Sequence, residues 1–148
     1  MECIKGDLFT TKADVKLIPV NVVGVMGAGL AKQFKLKYPK LYWQYRKDCE
    51  RGVIKIGFPA IYLHEGVHYV MFPTKEHWRN PSCPSYISRG LDALVEMIGE
   101  PEGIDPKWTI LTPALGCGYG LLDINTLREA LLAFSSCIPN KVIFITPP

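Results

Sequence analysis

The chain lacks strong charge of either sign. Its 17 Lys and Arg stand against 14 Asp and Glu over 148 residues, a net of +3. That is too little to announce a nucleic-acid binder, yet it leaves an anionic ligand unopposed. No apolar run reaches the roughly 20 residues of a membrane helix. The opening MECIKGDLF lacks the apolar stretch of a secretory leader. The expected compartment is therefore cytoplasmic, with no membrane partner. No C-x-x-C pair occurs among Cys3, Cys49, Cys83, Cys117 and Cys137, so neither a zinc site nor a disulfide framework is expected, and the thiols read as reduced. Repeats, low-complexity tracts and linkers are missing too, which suits one domain over residues 1–148.

What is present is a regular alternation of strands and helices. MECIKGDLF reads as a first strand ending at Gly6-Asp7, and VKLIPVNVV as a strand buried on both faces. From Gly27 to Lys37 the pattern is helical, with Leu30, Ala31, Phe34 and Tyr38 on one face. A second helix is predicted from about Lys40 to Glu50, and PAIYLHEGVHYVMFPTK as a hairpin turning at Glu65-Gly66. Ser85 to Ile98 reads as a helix with Ser85 as N-cap. WTILTPALG is a predicted strand, Thr126-x-x-Glu129 a predicted capping box, and KVIFITPP the last strand. This order implies an α/β sandwich around a mostly parallel sheet.

Two glycine clusters carry the chemistry. NVVGVMGAGLAKQF joins a strand to a helix, where backbone N–H groups and the helix dipole suit an anion. It lacks Gly-Lys-Ser/Thr, so it is not a P-loop. Gly24, Gly27 and Gly29 do not space as G-x-G-x-x-G, and the nearest acid about 20 residues on, Asp48, lies within a predicted helix. LGCGYG, Leu115 to Gly120, forms a second such turn. Two glycine loops at the carboxyl ends of neighbouring strands suit a diphosphate. Asp7 after the first strand could accept from an adenine amino group or simply shape a turn. Asn21, within an apolar strand, needs a partner: a ribose hydroxyl or neighbouring backbone. HEGVH matches the zinc-protease pattern in letters only, because Glu65-Gly66 reads as a hairpin turn rather than a helix. In FPTKEHWR, Lys75 projects at a strand end, where it could steady phosphates or attack an electrophilic carbon if its pKa is lowered. His77, Trp78 and Arg79 beside it could stack on a base or phosphate, or cover the fold's edge.

KGDLF, VN, MGAGLA, PTK and LGCGYG, in that order, resemble the macrodomain family nearly end to end. The closest likeness is to the branch of the terminal ADP-ribose glycohydrolase and the antitoxin that reverses DNA ADP-ribosylation. The resemblance implies a three-layer α/β/α sandwich with a central mixed, mostly parallel sheet. It implies ADP-ribose as ligand, with Asp7 and the Leu8 backbone at adenine. Asn21 and the loop Met26, Gly27, Ala28, Gly29 and Leu30 would hold the distal ribose. Pro113, Leu115, Gly116, Cys117, Gly118, Tyr119 and Gly120 would wrap the diphosphate and ribose, with Thr74 beside Lys75. Lys75 matches the branch's catalytic lysine, as nucleophile or electrostatic group. One departure matters: the glycohydrolase carries an acid where this chain has Gly120, and the nearest acid is Asp123. The expected activity is removal of ADP-ribosyl groups from a DNA base or an acidic protein side chain. The alternatives are an ADP-ribose 1″-phosphate phosphatase and a non-catalytic ADP-ribose reader. No metal or other cofactor is implied, and a monomer is the working expectation.

Overall fold

A computed structural model describes all 148 residues. Six strands, β1 (Glu2–Lys5), β2 (Val15–Asn21), β3 (Ala60–His64), β4 (Val67–Lys75), β5 (Ile110–Thr112) and β6 (Val142–Thr146), form one sheet. The helices are α1 (Gly29–Lys37), α2 (Pro39–Glu50), α3 (Pro84–Met97) and α4 (Ile124–Ser136). The strand order is β1-β6-β5-β2-β4-β3, with every pairing parallel except β3 with β4.

Period-2 alternation assigns the strand side chains to two cores. Val15 and Leu17 of β2, Val70 and Phe72 of β4, and Val142 and Phe144 of β6 face one apolar cluster, with α3 and α4. Ile18 and Val20, Tyr69 and Met71, and Ile143 and Ile145 face the other, with α1 and α2. The result is the expected α/β/α sandwich. Gly90 of α3 lies so close to Phe72 that a side chain there would begin 2.4 Å from the ring.

Element boundaries differ from the sequence reading for local reasons. β1 stops at Lys5, because Asp7 bends the chain by accepting from Phe9 N at 2.7 Å. β5 stops at Thr112, since Pro113 has no N–H to continue a ladder. α1 starts at Gly29 rather than Gly27, with Ala28 still extended (φ −154°). Ser85 is not the cap of α3: Pro84, with φ preset for the first turn, follows Cys83 at the N-cap. Thr126 caps nothing; Asp123 Oδ2 accepts from Thr126 N at 3.0 Å and starts α4 at Ile124.

The hairpin is as expected. Glu65 (φ 49°) and Gly66 (φ 81°) make the tight turn between β3 and β4. His64 pairs with Val67 and His68 with Leu63, so the two histidines fall on opposite faces of the sheet. His64 meets the Tyr38 ring and His68 stacks on Trp108 at 4.2 Å. They cannot share a metal ion.

Candidate functional site

Parallel strands end on one side of a sheet, and there the chain encloses a cavity of about 950 Å³. Its wall takes Asn21 from the end of β2, Lys75 from β4, Pro113 just past β5, Thr146 from β6 and Gly6 just past β1. This is the crevice where open α/β sheets hold ligands. Its volume lies at the upper end of the small-molecule range. The wall includes Lys75 and Arg79 and no acidic residue.

Unpaired backbone donors line it on two sides. In the second glycine loop, the N–H groups of Leu115, Cys117, Leu121 and Leu122 are used internally. Those of Gly116, Gly118, Tyr119 and Gly120 find no acceptor in the protein, and these four residues are the ones on the cavity wall. Gly116 has φ +73°, and a side chain on Gly120 would begin 2.4 Å from the Gly116 carbonyl, so both positions require glycine. Across the cavity, α1 begins without a side-chain cap and without an acid in its first turn. The N–H groups of Gly29, Leu30 and Ala31 are therefore orphans, and all three residues line the wall. The arrangement offers an anion two banks of amides and one helix N-terminus.

Asn21 uses its side chain on the loop it opens. Its Nδ2 donates to Val25 O at 2.8 Å, while Oδ1 accepts from Val23 N (3.2 Å), Val25 N (3.3 Å) and the Tyr45 hydroxyl (3.0 Å). Tyr45, fully buried on α2, also donates to Asn21 O at 2.8 Å. Of the two partners open to Asn21 in the sequence, the structure supplies the backbone.

Lys75 sits beside Asn21 in the β2–β4 register. Its Nζ donates to Trp78 O at 3.0 Å, and burial pulls its pKa below the usual lysine value. Cys117 is no rival nucleophile: burial, then the Asp123 carboxylate, push its thiol up, away from the thiolate. Asp123 itself is committed to the α4 cap and is not on the cavity wall.

No family model matches the chain. Among solved structures, the macrodomain of Mycobacterium tuberculosis DarG superposes with a TM-score of 0.85 at 36% identity, over 97% of this chain and 94% of that one. The chain belongs to the macrodomain family. Thermosipho africanus DarTG, solved in complex with ADP-ribose, matches this macrodomain with a TM-score of 0.88 at 29% identity over 99% of the chain. A Thermus aquaticus protein named DNA ADP-ribosyl glycohydrolase is 40% identical over 149 residues. The chain spans about two-fifths of the length of the curated relatives it matches.

Most positions singled out in the sequence meet in this macrodomain's cavity: Leu8, Asn21, Gly27 to Leu30, Lys75, Pro113, Gly116 and Gly118 to Gly120 all line it. Others do not. Met26 and Leu115 are buried in the two cores, and Thr74 is buried with its hydroxyl 3.4 Å from Val20 O. Their side chains lie behind the wall, so only their backbone is near it. Cys117 turns its thiol to Leu115 O. Asp7 stands just outside, between Gly6 and Leu8 on the wall, with one carboxylate oxygen taken by Phe9 N. The sequence reading missed Pro19, Ala114 and the run Ile145, Thr146 and Pro147. The last three had a legible signal, namely the carboxyl end of a predicted parallel strand.

Proposed function

We propose that this macrodomain binds ADP-ribose and hydrolyses the bond joining it to a DNA base. The observation that carries the reading is Lys75: a partly desolvated amine on the wall of an acid-free cavity that two banks of unpaired amides also line. Gly116 and Gly118 to Gly120 neutralise the diphosphate, and Asp7 with the Leu8 backbone receives adenine. Gly27 to Leu30 hold the distal ribose, in a loop that the Asn21 side chain shapes. The relatives that are DNA ADP-ribosyl glycohydrolases point to DNA as the carrier.

In the reaction, the neutral Lys75 amine donates its lone pair to the anomeric carbon of the distal ribose. The carbon–nitrogen bond to the base breaks, its electron pair stays on the base nitrogen, and that nitrogen takes a proton from water. Water then displaces the lysine, giving free ADP-ribose and the restored amine. Fixing the anomeric carbon within reach of the amine lowers the barrier by positioning, and the amides hold the diphosphate without rearranging.

The test is a parallel incubation with ADP-ribosylated single-stranded DNA, glutamate-ADP-ribosylated protein and ADP-ribose 1″-phosphate. Release of ADP-ribose from the DNA is expected. Phosphate release from the third substrate alone selects a phosphatase. A thermal shift with free ADP-ribose but no turnover selects a reader.

A further inference from the structure

The charge of this chain is unevenly placed. Residues 29–51, which form α1 and α2, hold seven Lys or Arg against two acids, a net of +5, so the remaining 125 residues are net negative. Lys32, Lys37, Lys40, Arg46, Lys47 and Arg51 are all exposed. Of the two acids, Asp48 is held by the Tyr62 hydroxyl, and Glu50 makes only an exposed 3.8 Å pair with Arg46. Within this basic face stands Trp43, 54% exposed, with the Arg46 guanidinium 5.5 Å over its ring. Lys40 and Lys47 lie three and four residues either side, on the same stripe of α2.

This face adjoins the cavity. The Arg46 side chain packs against Gly24, 3.3 Å from where a side chain there would begin. The Tyr42 hydroxyl donates to Gly24 O at 3.4 Å. In that same loop Val25, Gly27 and Ala28 line the cavity. Val22 N in turn donates to Glu76 O, tying the loop to the segment where the exposed Trp78 lies under Arg79 at 4.5 Å. One cation-backed tryptophan, Trp78, thus lines the cavity, and a second, Trp43, stands on the basic face that meets the cavity loop at Gly24.

We infer that the α2 face around Lys40, Trp43, Arg46 and Lys47 binds the single strand that carries the modified base. Phosphates lie along the cations and an unpaired base stacks on Trp43. Interleaved cations and open aromatic faces are what sequence-tolerant single-strand binding uses, whereas a duplex would keep its bases stacked away from Trp43. The inference rests on the proposed hydrolysis for its substrate, but its first test does not.

That test is fluorescence anisotropy with an unmodified, labelled oligonucleotide of about 12 nucleotides. Trp43→Ala should weaken binding about tenfold. Lys40→Glu with Lys47→Glu should flatten the salt dependence by about 1.4 in the slope of log affinity against log salt, since each single-strand phosphate contact contributes roughly 0.7. Thermal melts of these surface variants check folding. In turnover, the variants should slow on an ADP-ribosylated oligonucleotide and match wild type on an ADP-ribosylated mononucleoside. Unchanged oligonucleotide binding, equal slowing on both substrates, or slowing only on ADP-ribosylated protein would overturn the inference. Wild type that consumes neither nucleic-acid substrate refutes the hydrolase instead, while the anisotropy result still judges the face.

Discussion

Asn21→Ala separates shaping the glycine loop from touching the ligand. The substitution removes the bond to Val25 O and the acceptor shared by Val23 N, Val25 N and the Tyr45 hydroxyl. Val23 and Val25 are exposed, so their freed amides turn to water; the buried Tyr45 hydroxyl retains Asn21 O at 2.8 Å. Losing the bond to Val25 O and one of the two acceptors of the Tyr45 hydroxyl costs about 1 kcal/mol each, with a smaller loss at the amides, for about 2–3 kcal/mol in all. For a chain of this size that lowers Tm by roughly 8 °C. The loop from Val22 to Ala28 must then be ordered by the ligand itself, and an ordering cost of about 1.4 kcal/mol weakens ADP-ribose tenfold. Differential scanning fluorimetry and calorimetric titration read the two effects. Tyr45→Phe provides the control, because Tyr45 is off the cavity wall and its hydroxyl bonds to Asn21. It should lower affinity in the same direction, by less. If Asn21→Ala abolishes binding with Tm unchanged while Tyr45→Phe binds as wild type, Asn21 grips the ligand directly and the shaping argument is refuted.

Lys75→Ala should abolish release of ADP-ribose while free ADP-ribose still binds, as turnover and titration assays would record. Lys75→Arg should be equally inactive, because an arginine stays charged and cannot attack; substantial turnover by the Arg variant would instead assign Lys75 an electrostatic role. Burial lowers the Lys75 pKa from 10.5, so the neutral amine accumulates as pH rises. The rate should climb with pH and level off below that value, and a rate that falls over the same range would exclude the amine as nucleophile. Gly90→Ala puts a methyl 2.4 Å from the fully buried Phe72 ring. Overpacking costs about 1–3 kcal/mol, against about 1 kcal/mol of helix propensity gained, so denaturant titration should show a net loss.

The sheet was legible because its two faces are apolar and its strands alternate. Val15 and Leu17 against Ile18 and Val20 already divide the two cores. Both glycine loops were legible as turns, and Lys75 as a strand-end lysine. The helix starts were less so. Asp123 and Pro84 outcompete Thr126 and Ser85 for reasons of local geometry that a pattern two residues wide does not resolve. Burial separated the true wall from its backing: Met26, Thr74 and Leu115 sit within glycine-loop or strand-end motifs, yet their side chains turn inward. Ile145 to Pro147 carry no marking chemistry of their own; their one signal was the carboxyl end of a predicted parallel strand, and the strand order, which places β6 beside β5, brings that end to the cavity.

Most of the hydrogen-bond donors the cavity offers are main chain. The backbone donors on its wall belong to Gly27 to Ala31, Gly116 and Gly118 to Gly120, and Asn21, also on the wall, spends its side chain on the loop. A peptide N–H is present whichever non-proline residue carries it. Drift at Ala28, Leu30 or Tyr119 therefore leaves the hydrogen-bonding surface nearly unaltered, whereas one inserted or deleted residue displaces the whole bank. An inhibitor built to those amides would be hard to evade by exchanging side chains, and resistance would have to arise from changes in loop length.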